Sequence, residues 1–242
     1  MQQVGILTMK NNLLGLNFNP SFIGIYDNIF DKDVCEFMIK QFEDGPKRPS
    51  LVWKKGKPLR DDNEKQGIEA EGSDFRSKNL YPQMLYDGLS CALTKYKKQF
   101  PALDYHLPSW NLDPEFTFKK FEGEDEGFKG WHTEHGLGAL AHRILVWMVY
   151  LNDAKSGTQF KYYPNVRAKR GRIVLWPAGW THVHRGAPNK GVKYVLSGWY
   201  SYDHDPIFDY DKHDQHGQHD NTLTEKVEVN DGGFSTVPNL SS

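Results

Sequence analysis

Gly130-Trp131-His132-Thr133-Glu134-His135 leads into an apolar run, Arg143-Ile144-Leu145-Val146-Trp147-Met148-Val149-Tyr150-Leu151-Asn152. Trp176-Pro177-Ala178-Gly179-Trp180-Thr181-His182-Val183-His184-Arg185-Gly186 follows, then Lys193-Tyr194-Val195-Leu196-Ser197-Gly198-Trp199-Tyr200. Upstream, Phe116-Thr117-Phe118-Lys119-Lys120-Phe121 is β-prone, and Glu122-Gly123-Glu124-Asp125-Glu126-Gly127 is an acidic turn. From 118 to 202 the chain alternates short β-branched and aromatic runs with Gly, Pro and Asn turns. That pattern argues a sandwich or jelly roll rather than alternating βαβ units.

Within this stretch the candidate chemistry lies on His132 and Glu134. On a strand, residues two apart face the same way, so these two point together while Thr133 and His135 turn to the other face. His135 therefore reads as structural or supporting. A further histidine about 50 residues on completes two imidazoles and one carboxylate, a facial set that leaves coordination positions open and suits non-haem Fe(II) oxygenases. His182 and His184 are themselves two apart, and spacing does not separate them.

The flanks set limits. A chain of 242 residues with 38% hydrophobic content supports one domain with a real core, over 20–202, between an N-terminal arm (1–19) and a polar tail (203–242). The tail's His204, His213, His216 and His219 are irregularly spaced and read as solvated. A formal charge of -1 offers no field for nucleic acid or an anionic membrane. Two cysteines, Cys35 and Cys91, do not make a disulfide framework, and no signal-like or membrane-length apolar run is present, so a cytoplasmic protein is expected. Asp31 reads as the N-cap of a helix striped by Val34, Phe37, Met38 and Phe42. Residues 81–100 read as a second helix, with Leu85, Leu89, Ala92, Leu93 and Tyr96 on one face and Pro101 as its stop. Between them, 47–79 is charged and rich in Gly and Pro. It is expected to be a surface loop, or else a mobile lid over a substrate pocket. Gly136-Leu137-Gly138-Ala139-Leu140-Ala141 matches a dinucleotide fingerprint only in letters, because a β-prone run and no helix follows it.

Taken together, Asp27-Asn28-Ile29-Phe30 with its helix, the His-x-acid pair, Tyr150-Leu151-Asn152, Gly171-Arg172, His184-Arg185-Gly186, Pro188 and Gly191-Val192-Lys193 resemble the Fe(II)- and 2-oxoglutarate-dependent dioxygenases of the prolyl 4-hydroxylase type. The resemblance implies a mainly β fold with flanking helices around a double-stranded β-helix (jelly roll). It implies Fe(II) on His132, Glu134 and His184, with the His-x-Gly register favouring His184 over His182. Lys193 would meet the distal carboxylate of 2-oxoglutarate, and Lys190 would stay in a solvated turn. The implied reaction consumes O2, releases succinate and CO2, and hydroxylates a C–H bond of a peptide, protein or small molecule, a prolyl residue being the family's substrate. Ascorbate is the implied accessory reductant.

The chain departs from the family in two places: glutamate replaces the usual aspartate ligand, and Phe121 stands where a cosubstrate-binding tyrosine is common, leaving Tyr150 as the expected replacement donor. Arg143 is open between holding a substrate carboxylate and forming an internal ion pair. Two other readings compete: a cupin-like metal enzyme using His132, Glu134, His182 and His184 without 2-oxoglutarate, and a non-catalytic jelly-roll binding module.

Overall fold

The computed structural model describes residues 21–54, 57–76, 81–124 and 126–203. The expected arm and all of the expected tail except Asp203 lie outside these residues. In chain order the elements are β1 (Gly24–Tyr26), α1 (Lys32–Asp44), β2 (Arg48–Pro49), β3 (Val52–Lys54), β4 (Lys57–Leu59), β5 (Lys65–Gln66) and β6 (Ile68–Glu71). Next come α2 (Ser73–Arg76), α3 (Tyr81–Gln99), α4 (Ala102–Tyr105), β7 (Trp110–Glu122), β8 (Gly127–Phe128) and β9 (Arg143–Tyr150). The chain closes with β10 (Gly157–Phe160), β11 (Val166–Arg167), β12 (Arg172–Pro177), β13 (His184–Gly186) and β14 (Val192–Tyr202).

A seven-stranded antiparallel sheet runs β1-β12-β9-β14-β7-β6-β2, and a three-stranded sheet, β11-β10-β13, faces it. This is the expected jelly roll. The large sheet has apolar residues on both faces, as a strand covered on two sides must. On one face Leu145, Trp147, Val149, Ile173, Leu175, Leu196 and Tyr200 pack against α1 and α3. On the other, Val146, Tyr150, Val174, Trp176 and Val195 meet Phe160 and Val166 of the small sheet inside the roll.

Helix α1 starts where Asp31 accepts a hydrogen bond from the Val34 amide at 2.9 Å, the expected cap. Its buried stripe is Cys35, Met38 and Phe42, so Cys35 belongs to the core and Phe37 is only half-buried. Phe42 meets Phe118 of β7 with ring centroids 4.4 Å apart. On α3, Leu85, Leu89, Ala92 and Tyr96 are buried as the spacing indicates. Burial of each large side chain among these contributes about 1.5–3 kcal/mol. The chain enters α1 over Gly171, whose φ of +70° and position beneath Phe30 exclude a side chain: a Cβ there would lie 2.1 Å from the Phe30 carbonyl oxygen.

The segment 47–79 corrects the loop expectation. Within it β6 is a strand of the large sheet, paired with β7 through Ile68↔Lys120, Glu69↔Lys119, Ala70↔Phe118 and Glu71↔Thr117. Ala70 is in the helix-side core, and Lys65 and Glu69 form a buried ion pair at 2.5 Å. Charged composition implied solvent here, but Lys65 of β5 and Glu69 of β6 neutralise one another, and β6 is part of the barrel wall.

At the β1 edge, Asp27 receives the Arg172 guanidinium at 2.6 Å and the Lys169 ammonium at 2.9 Å, which tie the start of the domain to the β11–β12 turn. The hydrogen bond from Arg172 is the main influence on the Asp27 carboxyl; with Lys169 it outweighs desolvation and lowers the pKa from 3.8 to about 2. A carboxyl held low in the folded state contributes stability above its unfolded value, and that contribution is lost as pH falls through the folded value. Asp27→Asn should therefore lower the urea midpoint at pH 7, with the gap to the parent closing as pH drops from 3.8 towards 2. A gap that is constant across this range would show that the carboxylate charge contributes nothing.

Candidate active site

His132 and Glu134 do not lie on a regular strand. His132 forms an isolated bridge with His184 at the start of β13, its amide donating to the His184 carbonyl at 3.0 Å and its carbonyl accepting from the His184 amide at 2.9 Å. The Glu134 amide then donates to the Ala178 carbonyl at 3.1 Å. These bonds clamp the segment across the mouth of the roll and bring the two side chains together as a strand would have done. His-x-Gly has a packing reason here: a Cβ on Gly186 would come 3.2 Å from the Phe128 backbone N and O.

The imidazoles of His132 and His184 and the carboxylate of Glu134 offer ligand atoms that all lie within 4.8 Å of one another. Glu134 Oε1 is 3.6 Å from both His132 Nε2 and His184 Nε2. Each ring's other nitrogen is already committed, His132 Nδ1 to the Gly130 carbonyl at 2.9 Å and His184 Nδ1 to the His182 carbonyl at 2.9 Å. A carbonyl can only accept, so Nδ1 carries the proton and Nε2 presents its lone pair inward, the state a metal ligand needs. Burial lowers the pKa of His184, favouring the neutral ring. Burial acts to raise the Glu134 carboxyl, yet the group lies well below the usual range, and Arg143 and Trp199 both donate to its Oε2, so it is a carboxylate. The ring of Phe128 stacks on His132 at 3.7 Å and fixes its plane. This donor set fits a divalent metal of the Fe(II) or Zn(II) kind.

The second carboxylate oxygen is held from outside. Glu134 Oε2 accepts from Arg143 Nη1 at 3.2 Å and from Trp199 Nε1 at 3.0 Å, and the Arg143 guanidinium stacks over the Trp199 ring at 3.4 Å. Arg143 is therefore an internal ion-pair partner. The clamp accommodates the extra methylene of glutamate by fixing one oxygen outward and leaving Oε1 for the ligand set. The indole of Trp199 is a functional group that spacing did not single out, although it lies two and four residues from Ser197 and Val195 on the same face of β14.

The other expected residues separate clearly. His182 is 2% exposed, with Nε2 at 2.7 Å from the Ser21 carbonyl and Nδ1 at 2.8 Å from Thr181 Oγ1. Both its nitrogens are engaged away from Glu134, which removes it from the ligand cluster and removes the four-residue set required by the cupin-like reading. The His135 ring faces the Arg143 carbonyl at 2.5 Å and is exposed, a structural position. Lys190 is exposed, whereas Lys193 is 2% exposed, with Nζ bonded to Ser156 Oγ at 2.9 Å. Among the described residues no carboxylate pairs with Lys193, and burial pushes its ammonium down to about 8. Tyr150 is buried in the same roll, its hydroxyl 2.6 Å from Thr158 Oγ1, and desolvation raises its pKa.

A family model of the 2OG-Fe(II) oxygenase superfamily matches residues 116–201, the stretch that holds all three clustered side chains and Lys193. Over that part of its length the chain is similar to the 2OG-Fe(II) oxygenase superfamily. It is accordingly an enzyme that uses Fe(II), 2-oxoglutarate and O2.

Solved structures agree in fold. A Trichoplax adhaerens prolyl hydroxylase, in complex with a hypoxia inducible factor oxygen degradation domain peptide fragment, superposes with TM-score 0.57 at 13% identity, covering 76% of this chain and 85% of that one. A Pseudomonas putida prolyl-4-hydroxylase gives 0.54 at 11%, covering 75% and 92%. A viral collagen prolyl hydroxylase from Paramecium Bursaria Chlorella virus-1, in its 2OG complex, gives 0.50 at 10%, covering 78% and 100%. Curated protein sequences give no significant match. Among the described residues of this oxygenase no helix is long and apolar enough to cross a membrane.

The clamp on Glu134 makes a direct prediction. Trp199→Phe keeps a ring beneath Arg143 but removes the indole N–H. Losing such a ligand-orienting bond typically costs metal affinity 10- to 100-fold, so titration with Mn(II) should show a loss of about tenfold with the fold intact. Unchanged affinity would mean that Arg143 alone positions the carboxylate.

Proposed function

We propose that this oxygenase is a hydroxylase of prolyl residues in a peptide or protein, with Fe(II) on His132, Glu134 and His184 and with 2-oxoglutarate anchored by Lys193. The observation that carries the placement is the pairing of the His132-Glu134-His184 cluster with a buried ammonium in the same roll that has no carboxylate partner among the described residues. A buried charge without a counter-ion is costly, and a ligand carboxylate offsets that cost.

Bound Fe(II) and 2-oxoglutarate supply the oxidising chemistry, with O2 consumed and succinate and CO2 released. The protein's own groups do the positioning. His132 and His184 present neutral Nε2 atoms, Glu134 presents Oε1, and Ser156 aims the Lys193 ammonium into the roll. Tyr150 and Thr158 supply hydroxyls along the wall between them. Val146, Trp176 and Phe160 line the interior and exclude water. The prolyl assignment draws on the fold shared with prolyl hydroxylases. A peptide substrate is supported by exposed apolar groups beside the ligand-bearing loops: Trp131 at 42%, Leu137 at 94% and Trp180 at 74%. Such groups on loops at the mouth suit a chain laid across it.

Two measurements test the reading. In oxygen-free solution with Fe(II), His184→Ala should abolish metal binding while His182→Ala retains it; the opposite pattern would overturn the ligand assignment. Lys193→Ala should weaken 2-oxoglutarate binding by two to three powers of ten, because removing one partner of a buried charge pair costs about 3–5 kcal/mol. Lys190→Ala should leave it unchanged. The prolyl assignment itself is tested by incubating the protein with proline-containing peptides and following succinate release together with a 16 Da gain on the peptide; succinate formed without peptide oxidation would refute it.

A further inference from the structure

Lys119 is a second lysine that the ligand cluster and Lys193 do not explain. It lies on β7 opposite Val195 of β14, two residues from Phe121, so both side chains face into the roll. Its ammonium donates to Ser197 Oγ at 2.6 Å, and Ser197 is itself 4% exposed. Along the inward face of β14 the order is Lys193, Val195, Ser197, Trp199. Lys119 is thus drawn towards the Glu134 end of the roll, away from the end that Lys193 occupies.

The nearby carboxylates are already taken. Glu69 is bound by Lys65 at 2.5 Å and by the Leu51 amide at 3.2 Å, and Glu134 is held by Arg143 and Trp199. No carboxylate pairs with Lys119 among the described residues. An ammonium has three donors, and Ser197 uses one. Desolvation, with Lys65 adding to it, pushes Lys119 down to about 8, which leaves it largely charged at neutral pH. The interior therefore holds two ammonium groups, each bonded to one serine hydroxyl, one towards either end of a slot that receives a dicarboxylate.

We propose that Lys119 binds the carboxylate of 2-oxoglutarate adjacent to its keto group, while Lys193 binds the distal one. This rests on the placement of 2-oxoglutarate proposed above. It also accounts for Phe121: the phenol missing from that position is replaced by a charge-bearing donor one step along the same face of the strand, and Tyr150 need not supply it.

Two truncated ligands test the assignment. 2-Oxopentanoate replaces the distal carboxylate with a methyl group, and 4-oxopentanoate replaces the carboxylate beside the ketone. Binding of these and of 2-oxoglutarate is measured calorimetrically on Fe(II)-loaded, oxygen-free protein for the parent, Lys119→Met and Lys193→Met. Lys119→Met should weaken 2-oxoglutarate and 2-oxopentanoate by ~10- to 100-fold and leave 4-oxopentanoate within about twofold. Lys193→Met should weaken 2-oxoglutarate and 4-oxopentanoate and spare 2-oxopentanoate. Ligand-free Lys119→Met should also melt at or above the parent temperature, since the substitution removes an uncompensated buried charge while keeping the side-chain length.

An unchanged 2-oxoglutarate affinity in Lys119→Met would overturn the assignment, as would equal losses for all three ligands, the mark of a purely structural role. Loss at Lys193 with indifference at Lys119 would sink this inference alone. A parent that binds no 2-oxoglutarate would remove the underlying placement as well.

Discussion

Strand β14 has to face two ways at once, and most of the molecule follows from that. It is hydrogen-bonded to β7 on one side and β9 on the other, so its backbone is committed and only its side chains are free to differ. Leu196 and Tyr200 go to the helices, while Lys193, Val195, Ser197 and Trp199 line the roll. A slip of one residue would exchange the two sets and place an ammonium in the aromatic core beside Phe42 and Phe118. Register is therefore fixed by the cost of burying a charge in the wrong place as much as by packing. Gly198 fits the same scheme: a Cβ there would meet the Trp147 ring at 2.5 Å, so the helix side of the strand must be bare at that point.

The interior of the roll is unusually rich in charge for so small a barrel. Lys65 with Glu69 and Arg143 with Glu134 are self-contained pairs, and each builds a wall. Lys119 and Lys193 are bonded only to serines. The paired groups are thus held by a counter-charge within the fold, whereas the two ammonium groups on serines have no carboxylate partner among the described residues.

The sequence made some of this legible and hid the rest for definite reasons. His132 and Glu134 could be found because their relation is local, and β7 to β14 because the strand-forming runs are long and punctuated by turns. The expectation of a regular strand at 131–135 was wrong in detail, yet the bridge to His184 produced the same side-chain geometry. His182 and His184 could not be told apart by spacing, since the partner that occupies His182 is the carbonyl of Ser21, far away in the chain. The strands within 47–79 were obscured because their inward residues are charged, and only the fold shows that Glu69 faces Lys65. Cys35, absent from the expected stripe of its helix, is buried in it. Arg143 could not be assigned from sequence because its partner, nine residues earlier, reaches it only through the irregular turn between them.

The clamp on Glu134 also determines what the enzyme is when no metal is bound. In many metal sites an unliganded carboxylate is left as a stranded buried charge, and the surrounding loops loosen to hydrate it. Here Arg143 supplies a counter-charge and Trp199 a hydrogen bond to Oε2, so the buried carboxylate has partners of its own within the protein, independent of anything that meets Oε1.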